Sequence, residues 1–231
     1  MLPSYVIHAK FLEDRRHHIE HQMKAVGLSF EWITDYDPNE ITPEIDADIF
    51  VPNSWLEPTQ KSCALKHIQA FRRIAAGGDE MAMVFEDDAQ FCDGFAARLA
   101  EILSEAKNLT GLNSIQLGAG ANYYTPARLL EPHRWLYPGP HVRHTEAYII
   151  GRREAAAYLD WIAKQKLCLP IDHALDLMNE ELGVSVIWVE PPPVTQGSIT
   201  GRFRSALTNK NRLRSAAVFK WKRLWRFTMT R

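Results

Sequence analysis

The stretch MAMVFEDDAQF, residues 81–91, decides the fold: an apolar run ends in three consecutive acids, Glu86, Asp87 and Asp88, and then turns apolar again. The apolar run reads as a buried strand. Side chains alternate along an extended strand, so Glu86 and Asp88 are expected on one side and Asp87 on the other. Two carboxylates on one side repel unless a proton or a cation lies between them. A hard divalent ion, Mg²⁺ or Mn²⁺, is the natural occupant because it prefers carboxylate and phosphate oxygens. The carboxyl end of a parallel strand is where open α/β sheets bind ligands. The alternative is an exposed, solvated acidic turn.

Outward from this stretch the pattern is that of an α/β protein. SYVIHA (4–9) reads as a strand, residues 13–26 as a charged helix that stops at Gly27, and FEWITDYD (30–37) as a second strand. That βαβ opening predicts a mostly parallel sheet. Residues 38–60, rich in Pro and acids, read as a long surface loop. The spacing of Ala64, Leu65, Ile68, Phe71 and Ile74 predicts a helix over 63–76. Further on, a helix over 95–107, a strand at SIQLGAG, a strand and helix at AYIIGRREAAAYLDWIAKQ, a helix at PIDHALDLMNEEL and a closing strand at VSVIWVEPPPV complete the order.

The chain has 231 residues and 46% hydrophobic content, enough for one sizeable α/β core. Cys63, Cys92 and Cys168 are an odd number at wide spacing, which points to a reducing compartment and to no metal knuckle. No signal-like leader and no run of 18 apolar residues is present, so neither simple secretion nor a membrane span is expected. Charge is unevenly placed. Ten of the 27 basic residues and none of the 28 acidic ones lie in 202–231, which leaves 17 basic against 28 acidic in the body. An acidic body with a basic tail predicts a polyanionic partner for the tail.

SCALKHIQAFRRIA followed by EMAMVFEDDAQF resembles glycosyltransferase family 25, the lipooligosaccharide sugar transferases related to collagen galactosyltransferases. Three further stretches match the family in order: SIQLG, HTEAYIIGRREAAAYL and LPIDHALD. The resemblance spans roughly residues 4–200. Ser62, Lys66 and Glu146 stand where the family usually has Gly, Ser and His, and HAKFLEDRR replaces its frequent Asn-Leu-Asp while Arg15 and Arg16 keep its basic pair.

The resemblance implies an α/β, GT-A-like nucleotide-sugar-binding fold over 1–201, with a mostly parallel central sheet flanked by helices. It implies transfer of galactose or glucose from a UDP-sugar to a lipooligosaccharide or other glycan or glycolipid acceptor, with inversion and with Mn²⁺ or Mg²⁺ as cofactor. Asp88 and Glu86 are the metal candidates, and Glu86 serves alternatively the ribose or a metal-bound water. Glu86, Asp87, His67, Gln196 and Ser198 are the donor-binding candidates. Asp172 is the expected general base, since inversion needs a group to take the acceptor hydroxyl proton; a helix-capping role is its alternative. His67 as a plain helix-face residue and QGSI (196–199) as an ordinary exit loop are alternatives as well.

HHIEH (17–21) fits a zinc-peptidase pattern but reads better as a solvated helix face, and LGAGAN reads as a turn. Two other functions compete: a metal-dependent phosphohydrolase using Asp87 or Asp88, and a non-catalytic nucleotide- or carbohydrate-binding module. Residues 202–231 are expected to form a basic amphipathic helix that lies on an anionic membrane surface. That places the protein in the cytoplasm, peripheral to the inner membrane. Nucleic acid is not expected as a partner, because the acidic body would repel it.

Overall fold

The computed structural model describes residues 2–203. The elements in chain order are β1 (Ser4–Ile7), α1 (Glu13–Ala25), β2 (Glu31–Ile33), α2 (Pro43–Ile49), α3 (Pro58–Ala76), β3 (Met81–Glu86), β4 (Ala89–Phe91) and α4 (Phe95–Ala106). They continue with β5 (Asn113–Gln116), β6 (Leu136–Pro138), β7 (Ala147–Gly151), α5 (Arg152–Gln165), α6 (Ile171–Leu182), β8 (Ser185–Val189), β9 (Val194–Gln196) and α7 (Gly197–Thr200). Seven strands form one sheet in the order β2-β1-β3-β7-β5-β8-β6, and β4 pairs with β9 in a small antiparallel ribbon beside it. β1, β2 and β3 run parallel, as do β5 and β8, while β7 and β6 run against their neighbours.

Period-two alternation sorts the core into two layers. Tyr5 and Ile7 of β1 and Ala82 and Val84 of β3 pack on one side with residues of α3, α5 and α6. Val6, Met83 and Phe85 pack on the other with residues of α1 and α4. Helices cover both faces, as a mostly parallel sheet requires. Each buried large apolar side chain contributes about 1.5–3 kcal/mol, so the two layers supply most of the driving force for the fold.

The expected α/β architecture is present, with differences at specific places. The long surface loop contains α2, for which Thr42 is the N-cap, accepting from the Ile45 amide, and Pro43 the first residue. α3 starts at Pro58, five residues earlier than the apolar spacing suggests, because Glu57 and Gln60 form a reciprocal cap. VSVIWVEPPPV does not close the fold, since the chain goes on to pair β9 with β4.

β1 leads through α1 to β2 on one side, whereas β3 lies on its other side. The chain therefore reverses its winding between β1 and β3. A crevice opens at such a point outside the carboxyl ends of the two strands.

Candidate active site

A cleft fills that crevice. It is lined by Ile7, Phe11 and Arg15 from the β1–α1 region, Cys63 and Lys66 from α3, and Glu86 and Asp87 at the end of β3. Its volume is about 520 Å³ counting the mouth open to solvent.

The acidic triplet does not continue the strand. β3 ends at Glu86, Asp87 and Asp88 form a turn, and β4 starts at Ala89. The expectation that alternation would set Glu86 and Asp88 on one side is corrected by this turn, which brings Asp87 and Asp88 to Arg15, at 2.9 and 3.8 Å. Glu86 keeps the phase of Ala82 and Val84 and faces α3. It accepts from Thr145 Oγ1 at 2.6 Å and lies 3.5 Å from His67 Nε2. Burial pushes its carboxyl up, but His67, Thr145 and the Arg15 charge outweigh that and hold it below the usual carboxylate range.

Asp87 is tied down from the β1 side. His8 Nδ1 lies 2.8 Å from its Oδ2, and Arg15 donates to its Oδ1 at 2.9 Å. His8 follows the last residue of β1 and Arg15 lies in the first turn and a half of α1, so Asp87 stitches both to the turn after β3. Asp88 is 1% exposed. Its Oδ2 accepts from the Ser198 amide at 3.0 Å and its backbone carbonyl from the Gly197 amide at 2.7 Å, while Oδ1 has no hydrogen-bond partner. Burial lifts its carboxyl to about 6, with Arg15 pulling down and Glu86 and Asp87 pushing further up.

The QGSI segment is more than an exit loop. Ser198 and Gly197 meet Asp88 through backbone amides, and Gln196 Oε1 lies 3.4 Å from His144 Nδ1. A Cβ on Gly197 would lie 2.9 Å from the Asp88 carbonyl oxygen and 2.7 Å from the Phe203 ring, so only glycine fits this approach.

His67 is fully buried on α3, with Nδ1 2.8 Å from the Tyr148 hydroxyl of β7, and it reaches the cleft only through Glu86. Lys66 is spent on structure. Its Nζ donates to the carbonyls of Thr34 and Asp35 and to Asp37 Oδ1. Asp172 lies in the first turn of α6, half-buried, accepting from the His173 amide at 3.0 Å. The N-cap of α6 is Pro170, so Asp172 is not the cap. The Cys63 thiol, pushed well up by burial and then by Glu86, also feels the charge of Asp172. Asp172 thus stands within electrostatic reach of the cleft wall.

Glu146 was visible in the sequence only as a departure from the family pattern, yet it lies within electrostatic reach of Glu86 and Asp88. It is fully buried, Oε1 accepts from the Gly120 amide at 2.5 Å, and Oε2 has no partner. Burial, reinforced by Glu86 and Asp88, lifts its carboxyl to about 8. The LGAG turn accommodates it: a Cβ on Gly118 would fall 2.2 Å from Glu146 Oε1. His17 and His21 of the HHIEH stretch are exposed on α1, and among the described residues they gather no third metal ligand.

A mostly parallel sheet flanked by helices, with acids at its switch point, is the GT-A-like class of α/β protein. The pattern described as "Glycosyltransferase family 25 (LPS biosynthesis protein)" matches residues 1–132, and the chain belongs to that family. A "Glycosyltransferase 25 family member" of Aedes aegypti is 23% identical over 185 residues, covering 75% of this chain. The chain spans 30% of that relative's length. Two solved structures are similar to 95% of the chain and 96% of their own: the inositol-1-phosphate CTP transferase from T. maritima and galactosyltransferase LgtC in complex with donor and acceptor sugar analogs. Each shares 10% identity at a TM-score of 0.44.

Proposed function

We propose that the chain is a hexosyltransferase that moves galactose or glucose from a UDP-sugar to a hydroxyl of a lipooligosaccharide or other surface glycan, with inversion. Family membership supports the class of reaction. The observation that carries the reading to this site is the cleft at the carboxyl ends of β1 and β3, walled by Glu86 and Asp87.

In this reading the acceptor oxygen forms the new bond to the anomeric carbon as the bond to the diphosphate oxygen breaks. The acceptor proton passes to Asp172, whose half-exposed carboxylate is available as a base. Asp88 fits a hard divalent ion, Mn²⁺ or Mg²⁺, because its buried Oδ1 lacks a hydrogen-bond partner, while Oδ2 lies 3.8 Å from Arg15. Such an ion supplies Lewis-acid stabilisation of the departing diphosphate. Glu86 faces the ribose or a metal-bound water. Asp87 holds His8 and Arg15 in place at the donor cleft. His67 supports Glu86 from behind, Ser198 keeps the closing segment against Asp88, and Gln196 ties it to His144.

Calorimetric titration with UDP-galactose and UDP-glucose, with and without Mn²⁺, tests the site. Binding that requires the ion supports it. Failure of both nucleotides to bind in the presence of Mn²⁺ refutes it.

A further inference from the structure

Behind Glu86, three side chains of different chemistry converge. Cys63 and His67 lie one turn apart on α3, at the i and i+4 spacing that puts both on one face. Glu86 meets them from the end of β3. One ligand atom of each, the Cys63 sulfur, a His67 ring nitrogen and a Glu86 carboxylate oxygen, all lie within 4.8 Å of one another. The distance from His67 Nε2 to Glu86 Oε1 is 3.5 Å. Ligand atoms around a tetrahedral ion stand about 3–4 Å apart, given metal–ligand bonds of about 2.0–2.3 Å, so small side-chain movements close the set.

Three observations go beyond proximity. His67 Nε2 is buried and faces Glu86 Oε1 at 3.5 Å without a well-formed hydrogen bond, room that an ion between the two atoms would fill. The other ring nitrogen, Nδ1, is secured at 2.8 Å by Tyr148, which leaves Nε2 as the free ligating atom when Nδ1 carries the proton. Cys63 and Glu86 both line the cleft whereas His67 does not, so an ion held by the three would keep an open side toward the cleft.

We propose that Cys63, His67 and Glu86 form a three-ligand site for a borderline-soft divalent cation of the zinc type, with its fourth position open to the cleft. A thiolate and an imidazole select zinc over Mg²⁺ or Mn²⁺. Three protein ligands with one open position is the pattern of a working rather than a purely structural zinc. On binding, the thiol proton leaves to solvent and the sulfur–metal bond takes its place. This site is separate from the hard-ion place proposed at Asp88. It assigns Glu86 to the cation instead of the ribose, and it does not depend on the transferase reading.

The test uses the full chain, reduced and stripped with chelator, titrated with Co²⁺ as the spectroscopic stand-in for zinc. One thiolate-to-cobalt charge-transfer band is expected, displaced by Zn²⁺ and untouched by excess Mg²⁺. Cys63→Ser should lose the band, His67→Gln should weaken Co²⁺ binding at least about tenfold, and Asp88→Asn should leave the band in place. Should the variants fail to fold, alkylation of the wild-type chain mapped by peptide mass decides: Zn²⁺ should protect Cys63 more than Cys92 or Cys168. A wild-type chain without the band, a band that persists in folded Cys63→Ser, or alkylation of Cys63 indifferent to Zn²⁺ overturns the proposal.

Discussion

At the scale of single residues, the three neighbouring acids have three separate occupations, and substitutions should separate them. Asp88 is a buried carboxyl lifted to about 6, so its charge at neutral pH costs stability. Asp88→Asn is therefore expected to fold at least as stably as the parent while losing Mn²⁺-dependent UDP binding. Asp87→Asn should instead lose stability, because it breaks a buried pair with Arg15 and the contact with His8, which costs about 3–5 kcal/mol, seen as a lower denaturant midpoint. Glu146 makes a pH prediction. Its carboxyl titrates near 4.5 when unfolded and at about 8 in the fold, so the native state holds the proton more tightly. Its stabilising contribution is full below the unfolded value and is lost as pH rises through about 8. Glu146→Gln keeps the shape without the charge, so the variant should match the parent near pH 5 and exceed it by about 2 kcal/mol or more near pH 9. Identical pH profiles for the two proteins would contradict the buried, charge-averse setting of Glu146.

At the scale of elements, the LGAG turn after β5 illustrates a constraint by contact. Gly118→Ala would drive a methyl into the Glu146 carboxylate, and a cost of about 1–3 kcal/mol is expected, as for overpacking elsewhere. The double variant Gly118→Ala, Glu146→Ala should be more stable than the two single costs added together; simple additivity in denaturant melts would show that the clash is relieved some other way. The same turn shows how far the sequence could be read. The apolar run at 81–86, the helical spacing at 63–76 and the acids at the strand end were legible because period and charge are local signals. The turn at Asp87 and Asp88 was not, since what ends β3 is the pairing of Ala89–Phe91 with β9, more than 100 residues later. The antiparallel run of β7 depends on which strands it meets, and no local pattern encodes that. α2 did carry a local signal, Thr42 followed by Pro43, hidden beneath its Pro- and acid-rich composition. Among the site residues, the roles of Tyr148 and Thr145 become visible only when β7 is laid against β3, whereas Glu86 and His67 stood out from sequence.

For the whole molecule, charge placement and the cleft frame the remaining account. Among the described residues no helix is long and apolar enough to cross a membrane. The basic stretch 204–231 lies outside the described residues, and its peripheral attachment to the cytoplasmic face of the inner membrane is a proposal from sequence. With each basic residue near an anionic leaflet adding about 1 kcal/mol at the surface, the full chain should sediment with anionic liposomes in a salt-sensitive way. A chain ending at Gly201 should stay in the supernatant, and equal recovery of both there would end the proposal. Sugar transfer at the cleft between β1 and β3 is the central claim. It is tested most directly by measuring UDP released from a panel of UDP-hexoses with Mn²⁺ and an acceptor glycan, for the parent and for Asp172→Asn. The account predicts acceptor-dependent release from UDP-galactose or UDP-glucose, lowered at least about a hundredfold in Asp172→Asn with donor affinity unchanged. No release from any UDP-hexose with acceptor present, or equal turnover in the two proteins, would contradict it.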